Sequence, residues 1–220
     1  MQRPCLRGLV GATLAVTAWT TTTVLPASLS AEPPHAREVE PGPPGLVERI
    51  DERIAERVPA LLGVNRRLLA RTVVAEAERA RLDPLLVLAV IEVESSFDPR
   101  ALSAAGARGL MQLQEATLRS EIARSGLGHG DPRDPVLNVQ AGVRYLRRCL
   151  DSFTRQDLGL MAYNAGPNLV LHHLQQGEIP ELLQAYPRRV YAELRRLRRS
   201  LGVETAPVRV ADRRAPMLAE

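Results

Sequence analysis

The stretch that most restricts the fold of this chain is PLLVLAVIEVES, residues 84–95. Asp83-Pro84 opens it with a helix-capping side chain followed by a proline at the first helical position. Leu85, Leu86, Val87, Leu88, Ala89, Val90, Ile91 and Val93 then leave almost no polar face, and a helix that is apolar all round is buried. Asp98-Pro99 marks its end. Other helices must surround it, and the chain supplies candidates. Val47, Ile50, Ile54 and Val58 form a helical face within residues 46–62. Leu69, Val73 and Ala77 form another, which Asn65 is placed to cap. Val139, Val143, Leu146 and Leu150 form a third over residues 136–153. The expected class is all-α.

Two carboxylates interrupt the buried helix. Glu92 and Glu94 are two residues apart and project about 200° apart around the axis. Glu92 continues the face of Leu85, Leu88 and Ala89; Glu94 continues that of Val87, Val90 and Ile91. Only one can face a given cleft, and periodicity does not choose between them. A carboxyl held in apolar surroundings has its charged form disfavoured, which suits a general acid working near neutral pH. The alternative for either glutamate is an ion pair with an arginine.

The segment VESSFDPRALSAAGARGLMQ, residues 93–112, resembles the signature of the lytic transglycosylases related to goose-type lysozyme. Two later blocks, DPVLNVQAGVRYL and LMAYNAGPNLV, are similar to further motifs of that family, so the likeness extends over roughly residues 82–197. It implies a lysozyme-like helical domain over 46–200 that cleaves the peptidoglycan bond between N-acetylmuramic acid and N-acetylglucosamine. It also chooses Glu94, the glutamate of the Glu94-Ser95 pair, as the catalytic acid. Most glycosidases use two carboxylates about 5–9 Å apart. Within the matching blocks only Asp98 accompanies Glu94, and it reads as a turn residue; Glu115 and Asp134 match no catalytic position of the family. A single-carboxylate reaction closing a 1,6-anhydro ring is therefore expected. A hydrolytic muramidase on the same fold is the near alternative, and a non-catalytic wall-binding or secretion-assembly module the distant one.

The resemblance also implies a substrate-binding set. Ser103, Gly106 and Gln112 would line the cleft wall, Ser103 bonding the sugar or Glu94. Tyr163 and Asn164 would form the floor, Tyr163 bonding Glu94 or the sugar. Tyr191 enters through a weak likeness of Pro187-Arg188-Arg189-Val190-Tyr191 to a later family segment. Met111 reads as core, and Asn138, Gly142, Tyr145 and Leu146 as packing, with Gly142 letting another helix come close. The family continues after Met-Gln with a proline turn. This chain has Leu113, Gln114 and Glu115, so a helix from Leu110 is free to run on.

The remainder bounds the rest. All 29 basic residues are Arg, which excludes Schiff-base and P-loop lysine chemistry. Residues 1–30, with Arg3 and Arg7 ahead of an apolar run, read as an export signal. Residues 31–45 hold five prolines and read as a linker. Export to a periplasm or cell envelope follows, with Cys149 left as a small core residue and no intrachain disulfide. From residue 186 onward nine Arg face four acids, whereas residues 31–185 are net negative. Nucleic acid is thus an improbable partner. Glycan strands are the expected one, with an envelope or secretion complex possible and membrane contact confined to the signal segment or the basic tail, residues 201–220. A monomer is expected. His172 and His173 have no acid or cysteine at helical ligand spacing, so no metal and no cofactor is expected.

Overall fold

A computed structural model describes residues 45–58, 63–128, 130–131 and 133–203. The expected export signal, residues 1–30, the expected linker up to residue 44 and residues 204–220 lie outside this description. The described residues form eight helices: α1 (Leu46–Arg57), α2 (Gly63–Arg79), α3 (Pro84–Ser95), α4 (Glu115–Ser125), α5 (Pro135–Asp151), α6 (Gln156–Ala165), α7 (Pro167–Gln175) and α8 (Glu181–Ser200). Among them there is no strand, only isolated bridges pairing Leu102 with Arg108 and Arg108 with Leu113. No described helix is long and apolar enough to cross a membrane.

The all-α expectation holds, and α3 is the central element. Every residue from Leu85 to Ile91 is at most 2% exposed. Each large apolar side chain so buried contributes roughly 1.5–3 kcal/mol. Asp83 caps the helix by accepting from Leu85 N at 2.8 Å. It also accepts from Arg198 Nη2 at 2.8 Å, near the end of α8. At the other end of α3, Glu94 meets Tyr186 from the first half of α8. These two contacts fix α3 and α8 antiparallel and in register.

Three expectations need correction. Asn65 lies inside α2, which already runs from Gly63, so it is not the cap. No helix runs on from Leu110. Gln112 sits at φ 46°, in the left-handed region, and α4 begins only at Glu115. Arg108 and Leu113 exchange N–H···O bonds at 3.0 and 3.1 Å, closing residues 109–112 into a turn without any proline.

Gly142 does admit a close neighbour, but the neighbour is the side chain of Met111 from this turn, not another helix. A Cβ at position 142 would lie 2.7 Å from Met111 Cβ and still nearer its sulfur. Alanine gains up to about 1 kcal/mol over glycine in helix propensity. The clash outweighs that gain, because Met111 Cβ is tied to a backbone that Asn138 holds. Gly142→Ala is therefore expected to destabilise the fold by about 1–3 kcal/mol in urea unfolding.

Candidate active site

The two glutamates of α3 have opposite surroundings, as their spacing requires. Arg57 of α1 holds Glu92 through both carboxylate oxygens, and Arg53 and Arg196 each approach it to 3.8 Å. Glu92 is a structural ion-pair partner of α1 and α8. Glu94 has no arginine bonded to it. It accepts a hydrogen bond from the Tyr186 hydroxyl at 2.6 Å.

Burial is the largest influence on Glu94 and raises its pKa from 4.5 to about 6; the Tyr186 bond and the charge of Arg189 oppose the rise. The carboxyl therefore titrates where a proton donor for near-neutral chemistry is useful. Its chain environment is sharply shaped. Ser96 and Phe97 follow at φ 50° and 66°, an uncommon conformation for residues other than glycine. Phe97 is 1% exposed, so core burial anchors this reversal directly after the acid.

Tyr186 is 2% exposed and was not singled out by motif. The available signal was periodicity. Leu183, Tyr186, Val190, Leu194 and Leu197 make the inward stripe of α8, and all are buried. Tyr191, five residues on, is about 140° round the helix and about 7.5 Å further along it. Its hydroxyl donates to Gln156 Oε1 at 3.1 Å at the start of α6, and burial pushes its pKa up to about 12. The structure thus brings Tyr186 to Glu94 and leaves Tyr191 elsewhere.

The remaining candidates surround a self-bonded loop. Ser103 Oγ accepts from Ala107 N at 3.0 Å, so the bond seen is within the loop and not to Glu94. Gly106 and Gly109 adopt φ 83° and 77°, which side chains resist. Gln112 Nε2 donates to Ala101 O at 3.1 Å and Gly109 O at 3.0 Å, closing the loop across its base. Its carbonyl oxygen and the Ser103 hydroxyl proton remain chemically able to bond a ligand.

Tyr163 does not bond Glu94. Its hydroxyl donates to Met111 O at 2.7 Å, joining α6 to the turn. It is near enough that the charge of Glu94, after burial, adds to the rise in its own pKa. Asn164 is exposed at the end of α6. Asn138 completes the support, accepting from Met111 N at 2.7 Å and donating to Arg108 O at 3.0 Å.

The Tyr186 bond favours the ionised form of Glu94, so its removal must raise the pKa further. Tyr186→Phe is expected to move the alkaline limb of the pH–rate profile of kcat/KM above its wild-type position near 6, with a lower maximum rate. A limb that stays in place or moves to lower pH would show that this bond does not tune the acid.

The chain is similar to known proteins over this region. A relative named transglycosylase from the Enterobacteria phage PRD1 is 40% identical over 97 residues, covering 44% of this chain and 34% of the relative. A membrane-bound lytic murein transglycosylase C from Haemophilus influenzae is 36% identical over 132 residues, covering 52% of this chain and 37% of the relative. The chain thus spans little more than a third of the length of either. Among solved structures, an inactive mutant of the lytic transglycosylase Slt of Pseudomonas aeruginosa aligns with a TM-score of 0.57 at 22% identity, covering 70% of this chain and 30% of that one. The 70 kDa soluble lytic transglycosylase of Escherichia coli aligns with a TM-score of 0.52 at 22% identity, over 71% and 30% of the two chains. Both likenesses concern the fold. The family profile described as the transglycosylase SLT domain matches residues 71–180, half of the chain. With the helical fold, that match makes this chain a member of the SLT transglycosylase family.

Proposed function

We propose that this chain is a peptidoglycan lytic transglycosylase with Glu94 as its only acid–base group. Glu94 gives its proton to the oxygen bridging N-acetylmuramic acid to N-acetylglucosamine, and the bond from C1 of the muramic sugar to that oxygen breaks. The resulting carboxylate takes the proton from the C6 hydroxyl of the same sugar, whose oxygen bonds to C1. The strand leaves as a 1,6-anhydro end and a free 4-hydroxyl end, no water is consumed, and Glu94 is again protonated.

The observation that carries this reading is a partly buried carboxyl at the end of α3, bonded by the Tyr186 hydroxyl at 2.6 Å and with its pKa raised by burial to about 6. A group titrating there can act as acid and then as base in one cycle. The names of the relatives from phage PRD1 and Haemophilus influenzae agree with it. In this reading Ser103, Gly106, Gln112, Tyr163 and Asn164 line the glycan path, and the working domain is 46–200 on a chain exported to the cell envelope.

The test is digestion of purified peptidoglycan followed by mass spectrometry of the soluble fragments. Anhydro-ended fragments are expected. Reducing ends would replace the proposal with hydrolysis, and intact sacculi would remove the enzymatic reading.

A further inference from the structure

Three of the six arginines of α8 are paired with carboxylates of this chain. Arg188 pairs with Glu181, Arg196 with Glu193, and Arg198 with Asp83. Arg189 is different. Like Arg195 and Arg199 it makes no salt bridge among the described residues, but its guanidinium carbon lies 5.8 Å from the centre of the Tyr186 ring. Tyr186 itself reaches Glu94 at 2.6 Å. Arg189 is exposed, Tyr186 is buried and Glu94 is partly buried, and the charge of Arg189 acts on the acid.

A guanidinium at this distance from an aromatic face is held in place by the ring while its N–H groups stay available. Glycan strands built on muramic acid bring suitable partners. The lactyl ether on that sugar carries a peptide whose residues keep free carboxylates, and where the peptide is lost the lactyl carboxylate itself is free. We propose that Arg189 binds a carboxylate of the strand's lactyl or peptide substituent next to the bond that Glu94 cleaves, making this site selective for strands that carry that charge. The inference rests on the proposed reaction for its substrate class. A planar guanidinium accepts a carboxylate through two parallel N–H···O bonds, which gives direction as well as attraction. Among the described residues Arg189 makes no salt bridge, and the strand's carboxylate would supply one.

The test is a binding cycle on the full chain, using sonicated peptidoglycan strands and the same strands with their carboxyls converted to amides. The Glu94→Gln protein keeps Arg189 and removes the transferable proton, so binding is read without cleavage. It is expected to hold native strands about three- to tenfold more tightly than amidated strands. Adding Arg189→Gln should abolish that preference by weakening native-strand binding and leaving amidated-strand binding unchanged. Arg189→Lys should restore part of the preference. Equal loss of affinity for both strands, which is what packing over Tyr186 alone would give, overturns the proposal, as does a preference that survives in the double variant. Cleavage is read separately with the wild-type chain. Anhydro ends without a charge preference would discard the role of Arg189 and keep the reaction; a charge preference without anhydro ends would do the reverse.

Discussion

Glu94→Gln should lower the rate of glycan release by about 10³-fold or more, because one side chain supplies both proton transfers and glutamine supplies neither. The same substitution should stabilise the fold, and that pairing of effects is the sharper prediction. The pKa of Glu94 rises from 4.5 to about 6 on folding. For a carboxyl raised in this way the sign is fixed. Its contribution is fully favourable below the unfolded value of 4.5 and is lost as pH climbs through 6, where a buried charge must be carried. Glutamine carries none. Wild type and variant should therefore unfold alike near pH 4. At pH 8 the variant should be more stable by up to about 2 kcal/mol, a gain of about 4–8 °C in Tm. A variant that loses stability at pH 8 would mean that Glu94 is held ionised by partners, and the acid would have to be sought elsewhere.

Asn138→Ala should give the largest loss of stability. The side chain is fully buried and satisfies two backbone groups of the turn, Met111 N and Arg108 O. Removing it strands Met111 N, at roughly 1–3 kcal/mol, and takes from Arg108 O one of its two donors, the other being Leu113 N, at about 1 kcal/mol, so a loss of about 2–4 kcal/mol is expected in urea unfolding. Activity should fall as well, because Met111 O receives the Tyr163 hydroxyl and the same turn positions Gln112. Asn138→Asp separates the two bonds. It keeps an acceptor for Met111 N but turns an oxygen toward the Arg108 carbonyl, and it should recover only part of the loss. If Asn138→Ala unfolds like wild type, the turn is held by its own bridges alone.

What could be read from the chain and what could not divide along contact range. The buried helix of residues 84–95 was legible, because capping and unbroken apolarity are local properties. So were Asp98 as a turn residue, which accepts from Arg100 N at 2.8 Å, and Cys149 and Met111 as core. The difference between Glu92 and Glu94 was not local. It depends on Arg57 of α1 and Arg196 of α8 arriving at one glutamate and Tyr186 at the other. The turn at Gln112 was misjudged for a similar reason: the residue that fixes it, Asn138, is 27 positions from Met111. Motif likeness pointed to Tyr191, whereas tertiary packing brings Tyr186 to Glu94.

The bond from Tyr186 to Glu94 spans 92 positions of sequence. Ordering so wide a separation carries an entropic cost that must be met before the contact can reward it. Until α8 docks, the carboxyl at the end of α3 lacks both its phenolic partner and much of the apolar shelter that lifts its pKa. An unfinished or partly folded chain would keep that glutamate ionised at neutral pH. On the proposed reaction, the proton donor is complete only once the bundle has closed.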